Sequence, residues 1–217
     1  YWQGSAVAQN VLDSATPHFN ELVGPLLAAF DYAVDLEIPA DARTTYVGYS
    51  AGGALLGTGE REGLDSTNIV YVAQAGPGHN VSGPEDTANP NANRYWLQTR
   101  SDYAIEVAQV IDGSANGGSV WTGGGVGGMG VTRLETGFLD PHDADTLMGG
   151  HSDYFFDLST SANNIKAVIS GGWVSLFVPY TWYSTPDGGF YFSPIEANPE
   201  DYLDSRLETV ETKDIEK

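Results

Sequence analysis

From residue 16 onward apolar side chains recur every three or four positions, at Phe19, Leu22, Val23, Leu26, Leu27, Phe30 and Ala33. That period predicts an amphipathic helix packed on a sheet, with Thr16 placed to cap it and Pro17 at its first position. Past Pro39 the pattern changes to short apolar or β-branched runs bounded by turn residues. Residues 44–49 (TTYVGY), 68–75 (NIVYVAQA), 94–100 (RYWLQTR) and 131–136 (VTRLET) each read as a strand. The second run is almost continuously apolar and stops at Gly76-Pro77-Gly78, as a strand buried within a parallel sheet does. Helices are expected from Gly52 to Gly57 and a little beyond, over residues 103–111, and over residues 159–169 with Ile165, Val168 and Ile169 facing inward. Strands alternating with helices predict an α/β fold with a mainly parallel sheet.

Between these elements, residues 79–93 read as a polar loop and residues 112–130 as a glycine-rich one. Residues 173–183 are apolar and aromatic, suited to a last strand or to an apolar wall beside a site. From Pro194 the chain is acidic, with Tyr202, Leu203 and Leu207 as its anchors, and reads as a solvated helix or a frayed end. The expected organisation is one domain over residues 1–193 followed by an acidic tail over residues 194–217.

Composition narrows the partners. A chain of 217 residues, 41% hydrophobic, can bury one sizeable core. With 29 acidic residues against 9 basic ones and a net charge of -20, it repels nucleic acid and anionic lipid surfaces. Such acidity keeps a secreted or salt-adapted protein soluble and says nothing about a substrate; a secreted or cell-surface location is expected. The absence of cysteine excludes disulfides, thiolate metal sites and a cysteine nucleophile. No apolar run approaches the roughly 18 residues of a membrane-spanning helix. Asn80-Val81-Ser82 fits a glycosylation sequon.

Chemistry enters at Gly48-Tyr49-Ser50-Ala51-Gly52, a G-x-S-x-G pattern at the junction of an expected strand and an expected helix. Its glycines leave room for a strained turn that exposes the serine hydroxyl, and the N–H of Ala51 would open the helix as an oxyanion donor. A serine hydroxyl needs a base within hydrogen-bond reach and an acid to hold that base in one tautomer. Asp102, at the end of the second strand after the elbow, and His151, in the loop after the third, supply them in the order serine, acid, histidine. Other assignments compete: Glu106 and Asp112 for the acid, and His18, His79 or His142 for the histidine. His79 stands to border a pocket, and His142 lies in a run of acids from Asp140 to Asp145 that could be read as a calcium loop.

Gly48-Tyr49-Ser50-Ala51-Gly52-Gly53, the close on Ala75-Gly76-Pro77-Gly78, and Gly149-Gly150-His151-Ser152-Asp153-Tyr154-Phe155 together resemble a family of actinobacterial α/β-hydrolase-like domains of unknown function. The likeness spans roughly residues 16–171. It implies a three-layer α/β-hydrolase-like fold, with triad roles for Ser50, Asp102 and His151 and no metal or organic cofactor. Members of that family usually carry histidine where this chain has Tyr49, a position that tolerates variation there and is expected not to touch the chemistry. The loop that gives the second oxyanion donor in such folds precedes the elbow strand by more than one element. Against that pattern the expectation is either missing N-terminal strands, completed by a preceding segment or a second chain, or an oxyanion hole built differently. The expected activity is ester hydrolysis on a small-molecule or acyl substrate, with amide or lactone hydrolysis and acyl transfer open to the same residues. The alternative is a non-catalytic module of hydrolase fold, used for binding or assembly within a larger secreted protein. Calcium or carbohydrate binding at residues 140–145 is a third reading.

Overall fold

The computed structural model describes residue 4 and residues 17–99, 102, 104–105, 130–140, 148–177, 182–184, 190–192 and 209–215. A strand buried on both faces presents alternate side chains to two layers, and β2 (Asn68–Val72) does so. Its Ile69 and Tyr71 join one apolar cluster with Leu27, Leu56, Leu64 and Trp96. Its Val70 and Val72 join another with Tyr95, Leu97, Ile165, Val168 and Val174. Around it, β1 (Thr45–Tyr49), β2, β3 (Asn93–Leu97) and β4 (Thr132–Arg133) form a four-stranded sheet in chain order, every pairing parallel. Parallel strands with helices on both faces make this an α/β protein. In register, Tyr49 lies opposite Val72 and Val72 opposite Leu97, so the segments that leave the first three strands start from one common edge.

On the first face lie α1 (Pro17–Asp35) and α2 (Ala51–Glu62). The sequence pattern places α1 directly on the sheet with a wide apolar arc inward, whereas the structure packs it chiefly on α2. A Cβ added to Gly24 would stand 2.8 Å from the Thr58 Cγ2, and Leu27 covers Gly59. One neighbouring helix accepts only a narrow stripe, so Asn20, Val23, Gly24, Leu27, Ala28 and Asp31 are buried while Leu22, Leu26 and Phe30 are left exposed. Thr16, expected to cap the helix, lies outside the described residues. The second face carries α3 (Thr160–Ser170), capped by the Ser159 hydroxyl, which accepts the Ala162 N–H, and ended by Gly171 at φ 77°. Ile165 and Val168 point inward as the spacing predicts. Ile169 does not: it is one position round from Val168, beyond the buried stripe, and is 57% exposed.

Other strand ends also differ from the pattern. β2 stops at Val72 because Ala73 turns to φ 44°. β4 is short because the Glu135 carboxylate takes the N–H groups of Thr136 and Gly137 at 2.9 and 3.0 Å, bending the chain out of the ladder. The apolar run after residue 172 divides into β5 (Trp173–Ser175) and β6 (Trp182–Ser184). β6 pairs antiparallel with β7 (Phe190–Phe192), and β5 with β8 (Thr209–Glu211). Part of the expected acidic tail is thus ordered. Thr212, the first residue of α4 (Thr212–Ile215), donates its N–H to Gly172, and Ile215 packs on the core. Tyr202, Leu203 and Leu207 lie outside the described residues.

An ion pair buried between α2 and the sheet ties the first helix layer down. Glu60, 1% exposed, accepts Arg94 Nε and Nη2 at 2.9 and 2.5 Å and the Tyr71 hydroxyl. Arg94 satisfies its remaining donors on Thr87 Oγ1 and on the carbonyls of Asn89 and Ala92. Removing one partner leaves the other charge buried and uncompensated. Arg94→Met is therefore expected to cost about 3–5 kcal/mol in urea unfolding, and the double variant Glu60→Leu/Arg94→Met distinctly less.

Candidate active site

Ser50 stands between the last residue of β1 and the first of α2, at φ 55° and ψ −125°. No ordinary residue favours that conformation, and three bonds hold it there. Its N–H donates to the Val72 carbonyl at 2.9 Å, and its own carbonyl accepts Gly53 N–H at 3.0 Å and Ala75 N–H at 3.4 Å. The bend throws the hydroxyl outward at the common edge of the strands and begins α2 at once. Ala51, expected to supply an oxyanion donor, is the first residue of that helix, where backbone N–H groups have no intrahelical acceptor.

Of the elbow glycines, both expected to be sterically required, only Gly48 is. A Cβ there would meet the Gly52 carbonyl oxygen at 2.8 Å, whereas one on Gly52 would meet nothing within 4 Å. The tight contact between helix and sheet lies one residue on. A Cβ on Gly53 would stand 2.4 Å from Gln74 Cβ, and one on Gly57 only 1.8 Å from the Pro77 carbonyl oxygen.

The three residues singled out by order along the chain meet here. His151, in the turn that follows β4, directs Nε2 at the Ser50 hydroxyl, 3.0 Å away, and Nδ1 at Asp102 Oδ2, 2.8 Å away. Its side chain is 29% exposed, while the Asp102 side chain is fully buried. A buried carboxylate must be satisfied by donors. Asp102 Oδ1 accepts Ile105 N–H at 3.1 Å, and Oδ2 takes the Tyr154 hydroxyl at 2.9 Å in addition to the imidazole.

Two participants escaped the sequence reading. The Tyr49 hydroxyl donates to the His151 carbonyl at 2.6 Å, and its ring lies 5.2 Å from the imidazole. The variable elbow position, expected to stay clear of the chemistry, thus touches the histidine itself. Tyr154 follows His151 by three residues on a short 3-10 turn (Asp153–Phe155), buried completely. The sequence signal for it was the aromatic block after His151, where a tyrosine could reach back over the turn. Burial, and then the Asp102 charge, hold both phenols above their ordinary range, so they stay protonated.

The competing histidines are elsewhere. His18 is exposed on α1. His79, expected at a pocket, binds Glu21 through Nδ1 and gives its backbone N–H to Thr58 Oγ1 at 3.0 Å, while Arg61 reaches its carbonyl. It therefore serves the joint between α1 and α2. Burial raises the Glu21 carboxyl, but hydrogen bonds from His79 and Arg61 together with their charges outweigh it and hold the group below its ordinary value. His142, Glu106, Asp112 and residues 141–145 lie outside the described residues. Among the described residues no three His, Asp or Glu side chains are grouped to hold a metal ion, and no helix is long and apolar enough to cross a membrane.

Compared with family models, with curated proteins and with solved structures, the chain finds no match in any of the three.

The glycine geometry separates adjacent positions. Gly52→Ala is expected to leave stability unchanged or raise it by up to about 1 kcal/mol. Gly53→Ala, which presses on Gln74, is expected to lower it by about 1–3 kcal/mol. Thermal unfolding of the two variants checks the contrast.

Proposed function

We propose that this chain is a serine hydrolase of α/β-hydrolase fold that cleaves an ester through an acyl-enzyme. The observation that carries the reading is the Ser50 hydroxyl, lifted by a strained bend to 3.0 Å from an imidazole whose other nitrogen meets a buried carboxylate. In this reaction His151 Nε2 takes the proton as Ser50 Oγ attacks the acyl carbon. It passes that proton to the leaving alcohol as the tetrahedral intermediate collapses. Water, deprotonated by the same nitrogen, then attacks the acyl-enzyme, and the proton returns to Ser50 as the acid product leaves. Asp102 keeps Nδ1 protonated and stabilises the imidazolium without itself taking a proton. The Ala51 N–H, aided by the positive end of the α2 dipole, stabilises the charge that develops on the substrate oxygen. Side chains and backbone supply all of this chemistry, so the reading calls for no cofactor. The likeness of the elbow and histidine segments to the actinobacterial α/β-hydrolase-like domains is consistent with it.

A fluorophosphonate probe tests the proposal on the full chain. Labelling is expected in the native protein and absent in Ser50→Ala. Asp102→Asn, which disturbs the imidazole tautomer, is expected to lower ester turnover by roughly 10³–10⁴-fold. A folded protein whose Ser50 does not react would instead favour the non-catalytic module.

A further inference from the structure

General-base chemistry demands an imidazole and a carboxylate that keep their places, and here each is gripped by a phenol with no bond to make or break. The geometry points to Tyr49 and Tyr154 as positioning residues that fix the His151–Asp102 pair. The inference rests on the hydrolase reading of Ser50 given above.

His151 needs such support. It stands in a turn, and its ring is partly open to water. The Tyr49 hydroxyl anchors its carbonyl at 2.6 Å, while the Tyr49 ring lies alongside the imidazole, tilted by 31°. One residue thereby constrains both the backbone and the side chain of the base. Tyr49 can do so because it is the last residue of β1, and its ring is braced edge-on by Phe155 at 5.4 Å and by the tilted ring of Tyr154 at 6.2 Å.

Asp102 lies beyond the end of β3, and a carboxylate with freedom to turn would let the imidazole swing away from the serine. Tyr154 removes that freedom. Its oxygen accepts the Thr99 N–H at 2.8 Å, so its single proton has two acceptors within reach, Asp102 Oδ2 at 2.9 Å and Thr99 Oγ1 at 3.2 Å. The nearer, charged acceptor takes it. With Ile105 N–H on Oδ1 and His151 on Oδ2, the carboxylate is held by three donors that leave one orientation. A phenylalanine would fill either aromatic position as well, so what tyrosine adds is the hydroxyl.

Tyr49→Phe and Tyr154→Phe test this on the full chain. Each is expected to lower kcat for a simple ester by roughly ten- to a hundredfold, from the loss of a hydrogen bond that fixes a reacting group, with KM unchanged. The downfield proton resonance of His151 Nδ1 is expected to move in both variants. Loss of the Thr99 partner alone would lower the melting temperature and leave kcat and the resonance as they are. Should Tyr154→Phe not fold, 3-fluorotyrosine at 154 keeps the ring and strengthens the donor, and the same resonance should move. Unchanged kcat and resonance in both variants, or a loss confined to KM, would overturn the proposal. If the native protein neither labels nor hydrolyses, the hydrolase reading fails, and the resonance alone still decides whether the phenols fix the pair.

Discussion

The bend at Ser50 is the constraint on which the rest of the structure depends. A non-glycine residue at φ 55° and ψ −125° costs on the order of 1–3 kcal/mol, and it persists only where its surroundings over-determine it. Here they do. Ser50 is bonded to the end of β2 through Val72 and to the segment after it through Ala75, and α2 can come that close only because positions 53 and 57 lack side chains. The far end of the same helix is fixed by Glu60 against Arg94 and Tyr71. Helix, strand and turn thus form one rigid lever with the hydroxyl at its tip.

Much of this was legible in the chain, for identifiable reasons. The four strands of the main sheet and their parallel direction follow from apolar runs, with helical patterns in two of the three intervals between them, and the order serine, acid, histidine follows from which strand each residue leaves. The ends of elements were harder, since they are decided by events that pattern does not encode. Ala73 adopts a positive φ, and the Glu135 side chain captures its neighbours' N–H groups. Faces of helices were misjudged where the neighbour was narrower than the apolar arc, as with Leu22 and Leu26, or one step off the stripe, as with Ile169. The roles of Tyr49 and Tyr154 do not follow from pattern, beyond the aromatic block after His151, because they rest on contacts with residues 102 and 52 positions away.

Charge is distributed unevenly between surface and interior. The chain has 9 basic residues to balance 29 acidic ones, yet Arg94 is buried and Arg61 bridges Glu21 and Glu62. Arg133 lies over Trp96 and Phe177, at 4.4 and 3.5 Å from their ring centroids. These three arginines join elements, while Lys166 and Lys213 pair with Asp157 and Glu211 at the surface, and the large acidic excess leaves the carboxylates there to repel one another.

The pairing of β5 with β8 has a consequence for how the molecule is made. Sheet strands β1 to β4 can associate as they emerge during synthesis, each beside one already present. Val174 is different: it belongs to the apolar cluster under α3, and its strand, bridged on one side to the chain after β4 at Leu134–Leu176, is covered on the other by Thr209–Glu211. Until translation has passed residue 211, the side of β5 that β8 covers has no strand beside it, and Val174 lies on that margin. A nascent chain therefore carries, for the interval between the two strands, a sticky margin of the kind that chaperones recognise.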